Sequence, residues 1–107
     1  MRKIEAQMND AIAHSKNWKS ANTSVTYNTD YDLTSVYLHG HLIAEIGETF
    51  VRIFDGGYQS NTTKSRLNAI INSCCNALTD GVFQKDYCWY IRDNNEVKVF
   101  QNGYVFS

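Results

Sequence analysis

The sequence predicts an α+β fold in which two helices pack on an antiparallel sheet, in the approximate order α-β-β-β-α-β-β-β. Two amphipathic helical patterns are separated by short segments rich in Val, Ile, Tyr, Phe and Thr, the residues that strands prefer. The short connections between these segments favour antiparallel hairpins. Residues 1–107 are expected to form a single domain, because a chain of 107 residues can bury one core without a covalent or metal staple.

The second helix has the clearer pattern of the two. Its apolar residues recur at i, i+3, i+4, i+7 and i+11 and so share one face, which carries Leu67, Ile70, Ile71, Cys74 and Leu78. We expect this face to be buried against the sheet. A side-chain oxygen of Asn61, Thr62 or Thr63 can cap the first turn, and Gly81 is well placed to end the helix near the C′ position.

The first helix is predicted over residues 2–15. Its apolar face carries Ile4, Met8, Ala11, Ile12 and Ser15, whereas Glu5 and His14 fall elsewhere on the helix. This pattern is typical of an amphipathic helix rather than of a secretory signal peptide.

Strand signals fill the rest of the chain. They cover residues 24–28, 35–39, 41–46 and 49–54 before the second helix, and residues 82–85, 87–93, 97–100 and 104–106 after it. Gly40 marks either a turn between two strands or a bend within one long strand. The Asp93-Asn94-Asn95 and Asn102-Gly103 segments indicate turns.

The composition argues against strong, non-specific binding to duplex nucleic acid. Ten basic residues face eleven acidic ones, and the formal net charge is −1, whereas duplex binding normally requires a basic surplus.

Three cysteines without a C-x-x-C spacing indicate reduced intracellular thiols. No apolar run approaches the length of a membrane span, so we expect a cytoplasmic protein.

The entrance to the second helix concentrates the unusual chemistry of the chain. Gly56-Gly57 permits positive φ angles or a close backbone approach, and a Ser/Asn/Thr-rich stretch follows it. Lys64 and Arg66 would add positive charge to the free N–H groups of the helix N-terminus, which makes an anion or phosphate seat plausible. A well-capped helix after a tight turn is the alternative. The spacing does not fit a P-loop.

A row of amides follows along the outer side of the same helix. Asn68, Asn72 and Asn76 stack there beside Ser65. Because asparagine is a poor helix former, and a merely solvated face usually carries Glu, Lys or Gln, this stripe is a candidate docking surface. A solvated face is the alternative.

One segment resembles a family of short uncharacterised proteins of tailed bacteriophages. The similar run is Gly-Gly-aromatic-x-Ser/Thr-x-Thr-Thr-x-x-Arg-Leu-Asn, formed here by Gly56, Gly57, Tyr58, Ser60, Thr62, Thr63, Arg66, Leu67 and Asn68. The resemblance spans most of residues 36–92. Tyr58 departs from it, because a Trp is expected there more often. The resemblance implies a phage origin and the cytoplasm of the infected host cell, but it implies no activity.

The remaining constellations indicate neither catalysis nor a metal site. His39 and His41 would share a face of a continuous strand but lack a third local ligand. The Asn28-x-Asp30-x-Asp32 run lacks the Gly and the Glu of a calcium loop. We therefore predict a non-enzymatic protein with no catalytic residues, no cofactor and no metal.

The sequence favours a small phage accessory protein that binds a host or phage protein in the infected cell. Its predicted binding residues are Tyr58, Thr62, Thr63, Lys64, Arg66, Asn68, Asn72 and Asn76. The alternative is a nucleic-acid-binding protein, with Lys64, Arg66 and Arg52 on phosphates and Tyr58 stacking on a base. Homo-oligomerisation stays open.

Overall fold

The computed structural model describes residues 2–107, which contain two helices and nine strands. In chain order these are α1 (Lys3–Ala13), β1 (Trp18–Ser20), β2 (Thr23–Asn28), β3 (Leu33–Leu38), β4 (His41–Ile46), β5 (Val51–Ile53), α2 (Asn61–Cys74), β6 (Gly81–Lys85), β7 (Cys88–Asp93), β8 (Glu96–Val99) and β9 (Tyr104–Phe106). The predicted α+β class and the order helix, strands, helix, strands are confirmed, with five strands after α1 and four after α2 in place of the three that the approximate predicted order gave each group.

The strands form two antiparallel sheets. The larger has the order β1-β2-β3-β4-β5-β9, and the smaller has the order β6-β7-β8. Although β9 follows β6, β7 and β8 in the chain, it pairs with β5 and forms the last strand of the larger sheet. β1 lies in a segment that the sequence indicated as a polar connection, and its pairing with β2 makes it a strand.

Gly40 lies in a two-residue turn. His39 and Gly40 have φ angles of 52° and 78°, and Leu38 pairs directly with His41 across the turn. The reading of Gly40 as a hairpin turn is therefore confirmed, and its reading as a bend within one strand is wrong. Turns of the same length join β6 to β7 and β7 to β8.

One core joins both helices to both sheets. Leu67, Ile70 and Ile71 are fully buried, as predicted, and Met8 and Ala11 are buried on α1. The core is completed by Ile12, Val25, Val36, Leu38, Ile43, Ala44, Val51, Ile53, Ala69, Val82, Trp89, Ile91 and Phe106.

The predicted burial of Cys74 and Leu78 is wrong. α2 ends at Cys74, which is exposed, and 83% of Leu78 is exposed. Leu78 lies in a turn in which the side chain of Asn76 accepts a hydrogen bond from the backbone N–H of Leu78 at 3.0 Å. Gly81 begins β6 rather than ending the helix.

Ser15 also lies outside its predicted helix. α1 ends at Ala13, and Ser15 is exposed with a φ of 53°. Ser60, rather than a later residue, caps α2.

Candidate functional site

The entrance to α2 is a capped turn. The Ser60 hydroxyl accepts a hydrogen bond from the Thr63 backbone N–H at 3.1 Å and lies 2.9 Å from the Thr63 hydroxyl. The Thr63 hydroxyl also donates to the Tyr58 carbonyl at 3.3 Å, and Thr63 is buried. This side chain is thus occupied in shaping the turn.

The Gly-Gly break allows the backbone to pass close to β4. Gly56 has a φ of 71°, and a Cβ at that position would lie 3.3 Å from side-chain atoms of His41 and Ile43. The Asp55 carboxylate then accepts a hydrogen bond from the Gly57 N–H at 2.8 Å. Glycine at position 56 is therefore favoured both by the positive φ and by the tight space beside it.

A small cavity of about 220 Å³ lies beside this turn. His39, His41, Tyr58 and Thr62 line it together with Asp55. Tyr58 is 76% exposed. Three of the predicted binding residues, Tyr58, Thr62 and Thr63, therefore line a surface depression.

Arg66 is buried in the fold. Its guanidinium lies 2.8 Å from the Glu5 carboxylate, and the relative side-chain exposures of Arg66 and Glu5 are 4% and 5%. Arg66 also donates to the Thr23 hydroxyl at 3.0 Å and to the Asn22 side chain at 3.3 Å. The Ser65 hydroxyl donates to the same Glu5 oxygen at 2.6 Å. The donors of Arg66 therefore face α1 and β2 rather than solvent, which argues against the predicted phosphate contact by this residue.

The other two cations of the nucleic-acid interpretation also have partners. The Lys64 ammonium donates to the Gln84 side chain at 3.4 Å, and Arg52 forms an ion pair of 3.0 Å with Glu45. The entrance therefore presents less free positive charge than the sequence indicated.

The amide stripe separates into three different environments. Asn68 bridges to β6, since its side chain donates to the Val82 carbonyl and accepts from the Val82 N–H, both at 2.8 Å. Asn76 lies beyond the helix end and shapes the following turn. Asn72 alone of the three is exposed on the helix itself.

The turn after α2 is tied to the hairpin between β7 and β8. Burial tends to raise the pKa of the Asp80 carboxyl, but hydrogen bonds from the backbone N–H groups of Asn94 and Asn76 hold that pKa below its usual value. The Thr79 hydroxyl and the nearby Arg92 act in the same direction. Asp80 therefore stabilises this corner in its charged form.

The outer face of the small sheet contains none of the binding residues predicted from the sequence. We define this outer face as the solvent side of β6-β7-β8, which carries Phe83, Lys85, Cys88, Tyr90, Arg92, Val97 and Val99. The opposite side buries Val82, Trp89 and Ile91 in the core.

Aromatic and aliphatic side chains are adjacent on this outer face. The rings of Phe83 and Tyr90 stack with centroids 5.5 Å apart, and Tyr90 pairs in register with Val99. Val97 and Val99 are 56% and 65% exposed. The alternation of Tyr90 with buried Trp89 and Ile91, followed by Val97 and Val99 at i and i+2, is the sequence signal that could have located this face.

The outer face continues into a groove towards α2. The groove has a volume of about 610 Å³, and its walls include Asn72, Phe83, Arg92 and Val97. Asn72, the exposed amide of the stripe, therefore borders the apolar face. This arrangement gives the protein an apolar surface with an amide and a cation at its rim.

Residues 2–107 contain no group of three or more His, Cys, Asp or Glu side chains placed to hold a metal ion. His39 lies in a turn, so that it does not share a strand face with His41. Within the same residues, neither helix is long and apolar enough to cross a membrane.

The fold and its surfaces define a small α+β domain with an exposed apolar sheet face. The model of one protein family, described as the Kyanoviridae Gp96 protein, matches residues 1–107, and the chain belongs to this phage protein family. No curated protein matches the chain. No solved structure matches it either. The expected phage origin is confirmed at the level of the family, whereas the Gly-Gly-aromatic run as its signature stays a prediction.

Proposed function

We propose that the protein is a non-enzymatic phage accessory protein that binds a phage or host protein in the infected cell. The partner is proposed to dock on the outer face of the β6-β7-β8 sheet. This surface replaces the helix-two entrance as the centre of the contact, and Asn72 is the residue of the amide stripe that remains in it.

The exposed apolar area of the outer face carries the proposal. Phe83, Tyr90, Val97 and Val99 are adjacent on the sheet, and none of them belongs to the buried core. Contiguous apolar surface is unfavourable in water, and on a small domain it commonly serves an interface. Aromatic residues and arginine are also enriched at such interfaces.

The charges of the outer face favour a particular kind of partner surface. Lys85 and Arg92 are its ionisable cations, and no Asp or Glu shares this side of the three strands. An apolar protein patch with carboxylates at its rim would therefore be complementary to it.

Nucleic acid is supported less well. Glu5 and Glu45 neutralise Arg66 and Arg52, so among the three cations of that interpretation only Lys64, whose ammonium contacts the uncharged Gln84 side chain, keeps a charge that is free to bind phosphate. Phe83 and Tyr90 stack on each other, and the valines beside them cannot stack on bases.

Capture from infected-cell lysate with nuclease treatment tests the proposal. Val99→Asp places a charge on the outer face and should abolish capture of a defined protein that the wild type retains. Val105→Asp is the matched control, because Val105 is an exposed strand valine of the other sheet. The captured protein is then purified, and its affinity for the three chains is measured directly.

The outcomes separate the interpretations. Equal affinity of wild type and Val99→Asp for the purified partner would refute docking on the outer face. Loss of every captured molecule after nuclease treatment would instead support nucleic-acid binding.

A further inference from the structure

The free edge of β8 has a sequence and geometry suited to pairing with itself. β8 is the last strand of the small sheet, pairs only with β7 among the described strands, and has all four of its residues exposed. An unpaired edge presents backbone donors and acceptors to any strand that can align with it.

The hairpin determines which backbone groups are free. Asp93 pairs with Glu96 across the two-residue turn, and the Phe100 N–H donates to the Trp89 carbonyl at 3.0 Å. Because antiparallel strands alternate their hydrogen-bonding direction, the N–H and C=O groups of Val97 point away from β7. Val97 is therefore the central free position of the edge.

We infer that two copies of this chain pair through antiparallel β8 strands, with Val97 of each copy opposite Val97 of the other. A two-fold axis perpendicular to the sheet relates the copies, so the contact is isologous. Each Val97 N–H then donates to the Val97 carbonyl of the second copy. The two small sheets become one sheet of six strands, and both outer faces lie on the same side.

Charge complementarity selects this register. With Val97 at the two-fold axis, Glu96 faces Lys98 of the second copy, and the converse pair forms by symmetry. A shift by one residue would move the side chains to the wrong face. The neighbouring registers that keep the faces would oppose Glu96 with Glu96, or Lys98 with Lys98, and like charges directly opposite are unfavourable.

Glu96 forms no ion pair within residues 2–107, although Lys98 of the same chain lies close enough for the charges of Glu96 and Asp93 to add to the hydrogen bond from Tyr104 in raising the pKa of its ammonium. Glu96 lies directly opposite Asp93 on the same side of the sheet. The Lys98 ammonium donates to the Tyr104 hydroxyl at 3.2 Å, and two further N–H donors remain for a carboxylate. Lys98 of the second copy would add a positive charge beside the neighbouring carboxylates of Glu96 and Asp93.

The oligomeric state under charge reversal tests the pairing. Light scattering after size exclusion, at up to about 1 mM protein, the weak limit of specific association, should detect a wild-type dimer. Glu96→Lys alone and Lys98→Glu alone should each be monomeric, since each opposes like charges at both positions. An equimolar mixture of these two variants should form a heterodimer, and the E96K/K98E double variant should dimerise as the wild type does.

Matched controls carry the same charge changes away from β8. Glu48→Lys alters an exposed loop, and Lys19→Glu alters the edge strand β1. Both should leave the dimer unchanged. A wild type that is monomeric throughout, single variants that still dimerise, or folded variants that fail to associate on mixing would each overturn the pairing.

The dimer contact is independent of the proposed partner surface. It uses the backbone edge of β8 and the side chains of Glu96 and Lys98, whereas the partner surface is formed by the side chains of the outer face; Val97 contributes its backbone to the first and its side chain to the second. Val99→Asp leaves both charge pairs intact and should retain the dimer while losing the partner. The charge variants test the dimer alone.

Discussion

Removing Arg66 should cost far more stability than removing any exposed cation. Arg66→Ala would leave the Glu5 carboxylate buried without its cation, together with the Thr23 hydroxyl and the Asn22 side chain that Arg66 now contacts. Breaking a buried ion pair from one side costs about 3–5 kcal/mol, because the remaining charge is desolvated and unpaired. That is a large part of the total stability of about 5–15 kcal/mol that is usual for domains.

Urea denaturation followed by circular dichroism measures this loss. With a slope of about 1–3 kcal/mol/M for a small domain, the unfolding midpoint of Arg66→Ala should fall by roughly 1–5 M. Lys64→Ala is the matched control. It removes one positive charge from the same helix turn, but its ammonium only reaches Gln84, so the change should be within about 0.5 kcal/mol.

A second variant separates the buried charge from the loss of packing. Glu5→Leu combined with Arg66→Met replaces the pair by apolar side chains of similar size, and such replacements are often neutral or stabilising. The double variant should therefore recover most of the loss. If Arg66→Ala shifts the midpoint no more than Lys64→Ala does, the ion pair does not hold the helices together, and Arg66 would again be available for an anion.

Three further predictions concern α2 and the turn that follows it. Ile71→Ala should destabilise the fold by about 2–4 kcal/mol through a core cavity, whereas Leu78→Ala should be close to neutral in the same denaturant melts, and a reversed order would refute the assigned helix end. Asn68→Ala should cost about 1–3 kcal/mol of stability, because it leaves a backbone donor and a backbone acceptor of β6 without partners. Asn72→Ala should be neutral, or should stabilise the helix by a few tenths of a kcal/mol. Equal effects of the two variants in thermal melts would contradict the bridging role of Asn68. The pKa of Asp80 is lowered in the folded state, so the stability that its charge contributes is present above the unfolded pKa of about 3.9 and is lost as the pH falls through the lower folded pKa. The stability difference between the wild type and Asp80→Asn should therefore shrink below about pH 4. A stability difference that is constant with pH would contradict this role of Asp80.

The elements that could be predicted from sequence are those with a strong local cause. The repeat of Leu67, Ile70 and Ile71 identifies the buried face of α2, because one helical period brings those side chains together whatever they pack against. β-branched and aromatic residues predicted the strands, and Asn94-Asn95 predicted a hairpin turn, because these preferences also lie within the segment itself. The α+β class followed from these local signals.

The helix end shows where a local pattern misleads. Apolar residues keep the helical spacing as far as Leu78, but the helix ends at Cys74. Hydrogen bonds among Asn76, Asp80 and the β7–β8 turn satisfy the backbone there instead. Asn94 lies 14 residues beyond Asp80 in the sequence, so the periodicity of the helix alone could not predict this contact.

The candidate site depended on tertiary structure more than the fold did. A lysine or arginine near a helix entrance is normally solvated, and from the sequence Arg66 had no visible reason to be buried. Its partner Glu5 lies 61 residues away, on the helix that packs against α2. The division of the strands into two sheets, which exposes Val97 and Val99, likewise arises from long-range pairing. Helix and strand preferences are local, so the residues of each segment were enough to predict most of those elements. Burial depends on neighbours that only the folded chain brings together, so the burial of Arg66 and the exposure of Val97 and Val99 could not be predicted from local patterns.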